Sequence, residues 1–139
     1  SGSPFPDVLH DGRTHHVGQG NNAFIFPGLG LGVMLAECRE ITDGMVLEGA
    51  YALAEYTAAA HLQSGRVYPP VRELREVSIR VGVRVIEQAL REGVAGNTDL
   101  AGCDLDAYLR TRFWKPRYLP IVRGDHTAMI DHPGYSKDD

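Results

Sequence analysis

The chain has 139 residues, 14 Lys and Arg against 18 Asp and Glu, and a formal charge of −4. That length suits one ordinary domain, and its basic residues are interspersed with acids, which argues against nucleic acid or an anionic membrane surface as partner. No apolar run in the sequence reaches the roughly 18 residues of a membrane-spanning helix, and no basic start leads into a signal-peptide core.

Residues 1–22 hold glycine, proline, aspartate and histidine without apolar periodicity, and read as loop or extended chain. Ser1-Gly2-Ser3 has the composition of a linker. Pro27 to Cys38 reads as a short apolar helix, in which Gly28, Gly30 and Gly32 each cost about 1 kcal/mol relative to alanine. Their spacing leaves a smooth side for another backbone. Thr42 or Asp43 then offers an N-cap. From Gly44 to Leu62 the positions Val46, Leu47, Ala50, Leu53, Ala54, Thr57 and Ala58 recur at helical spacing, and Gly65 fits a stop beyond them. Arg66 to Pro70 is extended, because each proline pushes its predecessor out of the helical region.

Val71 to Glu92 is the clearest helix. Glu73, Glu76, Arg80, Arg84, Glu87 and Arg91 form a polar stripe that reads as a solvated face, with Glu76–Arg80 and Glu87–Arg91 at i,i+4. Leu74, Val77, Val81 and Val85 lie on one side of the apolar arc, and Ile79, Val83, Ile86 and Leu90 on the other. So wide an arc needs more than one neighbour. Gly93 to Gly102 is a polar break, Asp104 to Phe113 a short helix, and the tail from Lys115 an arm whose last residues are expected to be disordered. The expected fold is mainly α, with about three principal helices and extended arms. Its boundaries fall at 1–22, 23–95 and 96–139.

Few residues carry chemistry. Cys38 and Cys103 stand far apart and read as reduced thiols, so cytoplasmic localisation is expected. Gly18-Gln19-Gly20-Asn21-Asn22-Ala23 matches the dinucleotide fingerprint in form. The residues before it make no buried strand, however, and Pro27 falls inside the phosphate-binding helix it would require. Asp7, His10, Asp11, His15 and His16 cluster without metal-ligand spacing, so no metal site is expected. His61 complements a helix dipole, and Ser78 lacks the partners of a nucleophile. Asn21 and Asn22 are open to two readings: loop structure, since Asn tolerates turns, or a grip on a carboxylate, hydroxyl or amide.

Several blocks, in order, resemble the malic enzyme family. They are Ser1-Gly2-Ser3-Pro4-Phe5, Gly18-Gln19-Gly20-Asn21-Asn22, Phe26-Pro27-Gly28, Ile41-Thr42-Asp43, Gly65-Arg66-Val67-Tyr68-Pro69-Pro70 and Val77-Ser78. The likeness covers residues 1 to about 92. It implies native sequence at Ser1 and a C-terminal piece of a larger α/β Rossmann-type enzyme, beginning inside the NAD(P)-binding domain. Such enzymes oxidise L-malate with NAD or NADP and Mg2+ or Mn2+, then decarboxylate bound oxaloacetate to pyruvate.

By this resemblance Asn22 and Asn21 bind substrate, and Asn21 and Gly20 border the nicotinamide. The family's catalytic tyrosine and lysine, its metal ligands and its phosphate loop come earlier in sequence, so the chain holds no catalytic residue and is expected to be inactive alone. Tyr68 is expected to be structural. His16 and Val17 replace an aromatic and a proline of the family pattern, which bears on how the loop is entered. The remaining enzyme and a homo-oligomer are the expected partners. A free-standing helical interaction module and a small nucleotide-binding domain are the alternatives.

Overall fold

The computed structural model describes Ser3 and residues 5–115. The expected arm beyond Lys115 lies outside the described residues, as do Ser1, Gly2 and Pro4 of the first family block.

The segment expected to be loop or extended chain contains a hairpin. Strands β1 (Val8–His10) and β2 (Arg13–His15) pair antiparallel, with Val8 opposite His15, Leu9 opposite Thr14 and His10 opposite Arg13. Asp11 and Gly12, at φ 48° and 70°, make the two-residue turn. Positive φ at both positions belongs to the type I′ turn that matches strand twist, for which Asp-Gly is a preferred pair.

Helices α1 (Phe26–Leu35), α2 (Asp43–Ala60), α3 (Leu74–Arg91) and α4 (Leu105–Arg112) follow. Helix α3 is central, with α1, α2 and α4 packed around it. Val77, Ile79, Val81, Val85, Ile86 and Ala89 are all buried, so the broad apolar arc is covered from several sides as expected. Among the described residues no helix is long and apolar enough to cross a membrane.

The crossing of α1 on α3 is made by glycine. A Cβ on Gly28 would stand 2.5 Å from the Ser78 carbonyl oxygen, and one on Gly32 2.9 Å from that of Gly82. Gly30 faces the other way, with nothing within 4 Å of its added Cβ. The smooth side therefore comprises two glycines, not three, because i and i+4 share a helix face and i+2 does not. Helix α1 also stops three residues early. Glu37 takes a left-handed φ of 50°, the Glu37 N–H donates to the Met34 carbonyl, and the Cys38 N–H donates to that of Val33. These are the two bonds of a Schellman stop. The segment after α3 completes that end: the Gly96 and Asn97 N–H groups donate to the Ala36 carbonyl, and Asn97 Nδ2 donates to that of Leu35.

Thr42 caps α2, its Oγ1 accepting from the Met45 N–H at 3.1 Å. The buried face of α2 differs from the expected stripe. Met45, Gly49, Ala52 and Thr57 are buried, while Val46, Leu47, Ala50, Ala54 and Ala58 are exposed. A helix apolar nearly all round gives periodicity no face to choose. Contact decides instead, and a Cβ on Gly49 would lie 3.3 Å from Val81 Cγ1.

The polar stripe of α3 is likewise not a plain solvated face. Arg84 Nε donates to Glu48 of α2 at 2.9 Å, and Glu76 accepts two bonds from Arg110 of α4, at 2.8 and 2.7 Å. Glu76–Arg80 is present at 3.6 Å. No Glu87–Arg91 pair occurs among the described residues; Arg91 turns to Gln88 and Glu48. The stripe faces polar neighbours on two other helices, which a single-helix pattern does not reveal.

Candidate functional site

The Gly18–Asn22 loop leads from β2 into a short 3-10 turn, Asn22–Phe24, just before α1. Asn21 is the N-cap, in extended conformation, and its Oδ1 accepts from the Ala23 N–H at 2.9 Å. Among the described residues this leaves the two Nδ2 hydrogens of Asn21 for another group. Asn22 is exposed, and its carboxamide has no partner among the described residues. The carbonyls of both asparagines are occupied, accepting from Phe24 N–H at 3.1 Å and Ile25 N–H at 3.0 Å. A rigid turn therefore presents two outward carboxamides on adjacent residues.

Two supports fix this loop. At its entry Asp7 accepts from the Val17 N–H at 3.3 Å and lies 2.7 Å from His16 Nδ1. That imidazole contact, with the backbone bond, holds the Asp7 carboxyl below the usual aspartate range. Arg66 Nη2 lies 3.3 Å from the same His16 nitrogen. His16 and Val17 thus anchor the loop through Asp7 by polar contacts. At its far side the Tyr68 ring packs under Gly20 and stacks on buried Phe24, with centroids 6.2 Å apart. Sequence reasoning gave Asp7, Arg66 and Phe24 no part in the loop. Phe24 stood out only by its proximity to the asparagines, Arg66 by its place in the Tyr-Pro-Pro block, and Asp7 as a member of the Asp and His cluster.

The other singled-out residues do not join this loop. His61 closes α2, and its Nε2 lies 2.7 Å from Glu73, which also accepts from the Tyr56 hydroxyl at 3.0 Å. Ser78 is buried with its Oγ donating to the Leu74 carbonyl at 2.7 Å. Cys38 is half-buried and Cys103 exposed, both free. His10 and His15 are diagonal neighbours across the hairpin, with tilted rings whose centroids lie 6.2 Å apart. Among the described residues no three His, Cys, Asp or Glu side chains could together hold a metal ion. A groove of about 570 Å³ lies elsewhere, between α2 and α3, lined by Ala52, Tyr56, Ala59, Arg80, Arg84 and Asp106 among others. Its arginines are engaged in ion pairs, Arg84 with Glu48 and Glu55 and Arg80 with Glu76.

The loop lies wholly within the part of the chain that carries a family likeness. Residues 1–90, containing all of it, match the family described as "Malic enzyme, NAD binding domain". The chain belongs to the malic enzyme family. It is 40% identical over 119 residues to the NADP-dependent malic enzyme of Dictyostelium discoideum, covering 85% of this chain and 21% of that protein. The NAD-dependent malic enzyme 1 of Vibrio vulnificus (strain YJ016) is 38% identical over 123 residues, covering 88% of this chain and 22% of its own length. The mitochondrial NADP-dependent malic enzyme of Mus musculus is 40% identical over 119 residues, 85% of this chain and 20% of that protein. The chain thus spans about a fifth of these malic enzymes, whose names include both cofactors.

A malic enzyme's dinucleotide needs a phosphate cradle, and the described residues do not form one. Their sheet is an antiparallel hairpin, not the parallel strand that opens a fingerprint helix. Gly18 and Gly20 are occupied with Tyr68: Cβ atoms there would stand 3.4 Å from its backbone nitrogen and 3.2 Å from its ring. What the malic enzyme loop offers is the pair of carboxamides at its tip.

Proposed function

We propose that the chain is part of an NAD(P)-dependent malic enzyme that converts L-malate to pyruvate and CO2, and that it supplies the substrate-side loop. The family match over the loop and its flanks carries this reading. When bound to the complete enzyme, NAD or NADP would supply the acceptor for the C2 hydride of malate as the C2 hydroxyl gives up its proton to a base; loss of CO2 from oxaloacetate and protonation of the enolate at C3 would then leave pyruvate. Within this chain Asn22 holds the malate carboxylate or hydroxyl through its outward carboxamide. Asn21 keeps its Oδ1 on the Ala23 N–H and turns its Nδ2 toward the nicotinamide, with the Gly20 backbone beside it. A neutral carboxamide orients a small acid without adding charge beside the reacting carbon.

The Mg2+ or Mn2+ ion, the catalytic tyrosine and lysine, and the phosphate cradle belong to the rest of the enzyme. Residues 1–22 close the dinucleotide-binding domain, 23–95 form the helical segment and 96–139 the arm. The exposed apolar side chains of α2, Val46, Leu47 and Tyr51, suit contact with the remaining enzyme or a second subunit of a homo-oligomer. The 139-residue chain alone is inactive.

Expression from the complete source gene, with malate-dependent NAD(P)H formation as readout, tests this. Activity in the complete protein, absence in the 139-residue chain, and a raised malate KM on Asn22→Ala are expected. An inactive complete protein, or unchanged malate kinetics in Asn22→Ala, would overturn it.

A further inference from the structure

We propose that Tyr68 is a positioning residue for Asn22, a platform that sets where the malate-facing carboxamide stands. The inference rests on the substrate role assigned to Asn22 above. One ring supports the loop on both sides of the asparagine pair. Before the pair, a Cβ on Gly20 would stand 3.2 Å from Tyr68 Cε2 and 3.4 Å from Cζ. After it, Phe24 stacks on the same ring at an interplanar angle of 19°, and Phe24 is itself fully buried.

Between these supports the turn has little freedom. Backbone bonds from Phe24 to Asn21 and from Ile25 to Asn22, and the Asn21 cap on Ala23, tie each residue to the next. The platform is stiff as well. Pro69 and Pro70 follow Tyr68, Pro69 is buried, and the fixed φ of proline limits rocking of the segment. On the other side Gly18 lies against Val67 and the Tyr68 backbone, where an added Cβ would meet both at 3.4 Å. The ring is therefore clamped by the loop it supports, and a change in its thickness displaces Asn22 without touching the carboxamide.

The contacts on Gly20 and Phe24 belong to the ring, so Tyr68→Phe retains the platform and Tyr68→Leu loses it. Gly20→Ala shifts the loop from the opposite direction, because the neighbour at 3.2 Å must give way.

The test uses the complete enzyme, with folding of each variant checked by its thermal midpoint and kinetics read below it. Tyr68→Leu is expected to raise the malate KM about tenfold, since small misplacements of a binding group are costly. Tyr68→Phe should stay within about twofold of the parent, and Tyr68→Leu should add little in an Asn22→Ala background, as coupled residues do. A merely structural tyrosine would lower the midpoint and leave the malate KM of the folded fraction alone; that result overturns the proposal. If Tyr68→Leu does not fold, Gly20→Ala decides: a raised malate KM supports the platform, and an unchanged one overturns it. Unchanged malate kinetics in Asn22→Ala would instead remove the substrate role of the loop, a failure separable from that of Tyr68.

Discussion

Gly28 of α1 stands so close to Val81 of α3 that a Cβ on the glycine would lie 2.7 Å from the valine Cβ. Gly82 closes the crossing from the opposite helix, its added Cβ falling 3.2 Å from the Gly28 carbonyl oxygen and 2.5 Å from Leu109 of α4. Three helices meet at this point, where the Val81 and Leu109 side chains fill the space that the two glycines leave open. Gly28→Ala and Gly82→Ala should each destabilise the chain by about 1–3 kcal/mol through overpacking. Gly30→Ala, with open space around it, should stabilise by about 0.5–1 kcal/mol by removing a flexible residue from a helix. Urea midpoints of the three variants test this; equal effects at all three positions would refute the crossing.

Arg110 links α4 to α3 by two bonds to Glu76, and also pairs with Asp106. Its guanidinium holds both carboxyls below their ordinary values of 4.5 and 3.8. A carboxylate whose folded value is depressed stabilises the fold above its unfolded value and loses that contribution as pH falls through the folded one. The advantage of the parent over Arg110→Met should therefore be full at neutral pH and shrink below about pH 4. These groups are about one-third exposed or more, so added salt should reduce the advantage too. Denaturation midpoints across pH and salt measure both.

Burial, and then the hydrogen bond to Glu73, push the Tyr56 hydroxyl up from 10.0 to about 12. An acid raised in the folded state favours folding below its unfolded value, and that contribution is lost as pH rises from 10 towards 12. A phenolate titration of the folded chain should show a late tyrosine that Tyr56→Phe removes and Glu73→Gln shifts downward. An unchanged late phase in Tyr56→Phe would count against this environment.

Helix α2 exposes Val46, Leu47 and Tyr51 at 44, 52 and 50% of their surface. In the isolated 139-residue chain these side chains should drive concentration-dependent association. Leu47→Glu should weaken it while leaving helix content unchanged, since Leu47 is outside the core. Sedimentation over a concentration series is the measurement; a parent chain monomeric throughout would contradict it.

Helix α3 was legible from periodicity and the α2 cap from Thr42, because both signals are local. The hairpin had a local signal as well, Asp11-Gly12 between two short runs, but its strands carry no buried alternation: all six residues are exposed. The face of α2 was not legible, since an all-round apolar helix leaves the choice to its neighbour. The destinations of Glu76 and Arg84 were hidden for a similar reason. Their partners lie on other helices, 34 and 36 residues away. At the loop, the asparagines stood out by composition. Tyr68 did not, because its meaning comes from Gly20 and Phe24, which the chain brings to it only after α1 and α2 are in place.

The bond from Asn97 Nδ2 to the Leu35 carbonyl spans 62 residues. Helix α1 is thus finished by a segment synthesised long after it. Until Leu74–Arg91 has emerged from the ribosome the glycine side of α1 has no complete α3 to rest on, and until Gly96 and Asn97 follow, the Leu35 and Ala36 carbonyls lack these partners. The helix that follows the asparagine loop is therefore completed late, and a nascent chain stopped before Leu74 has the loop's sequence without the helix on which α1 rests.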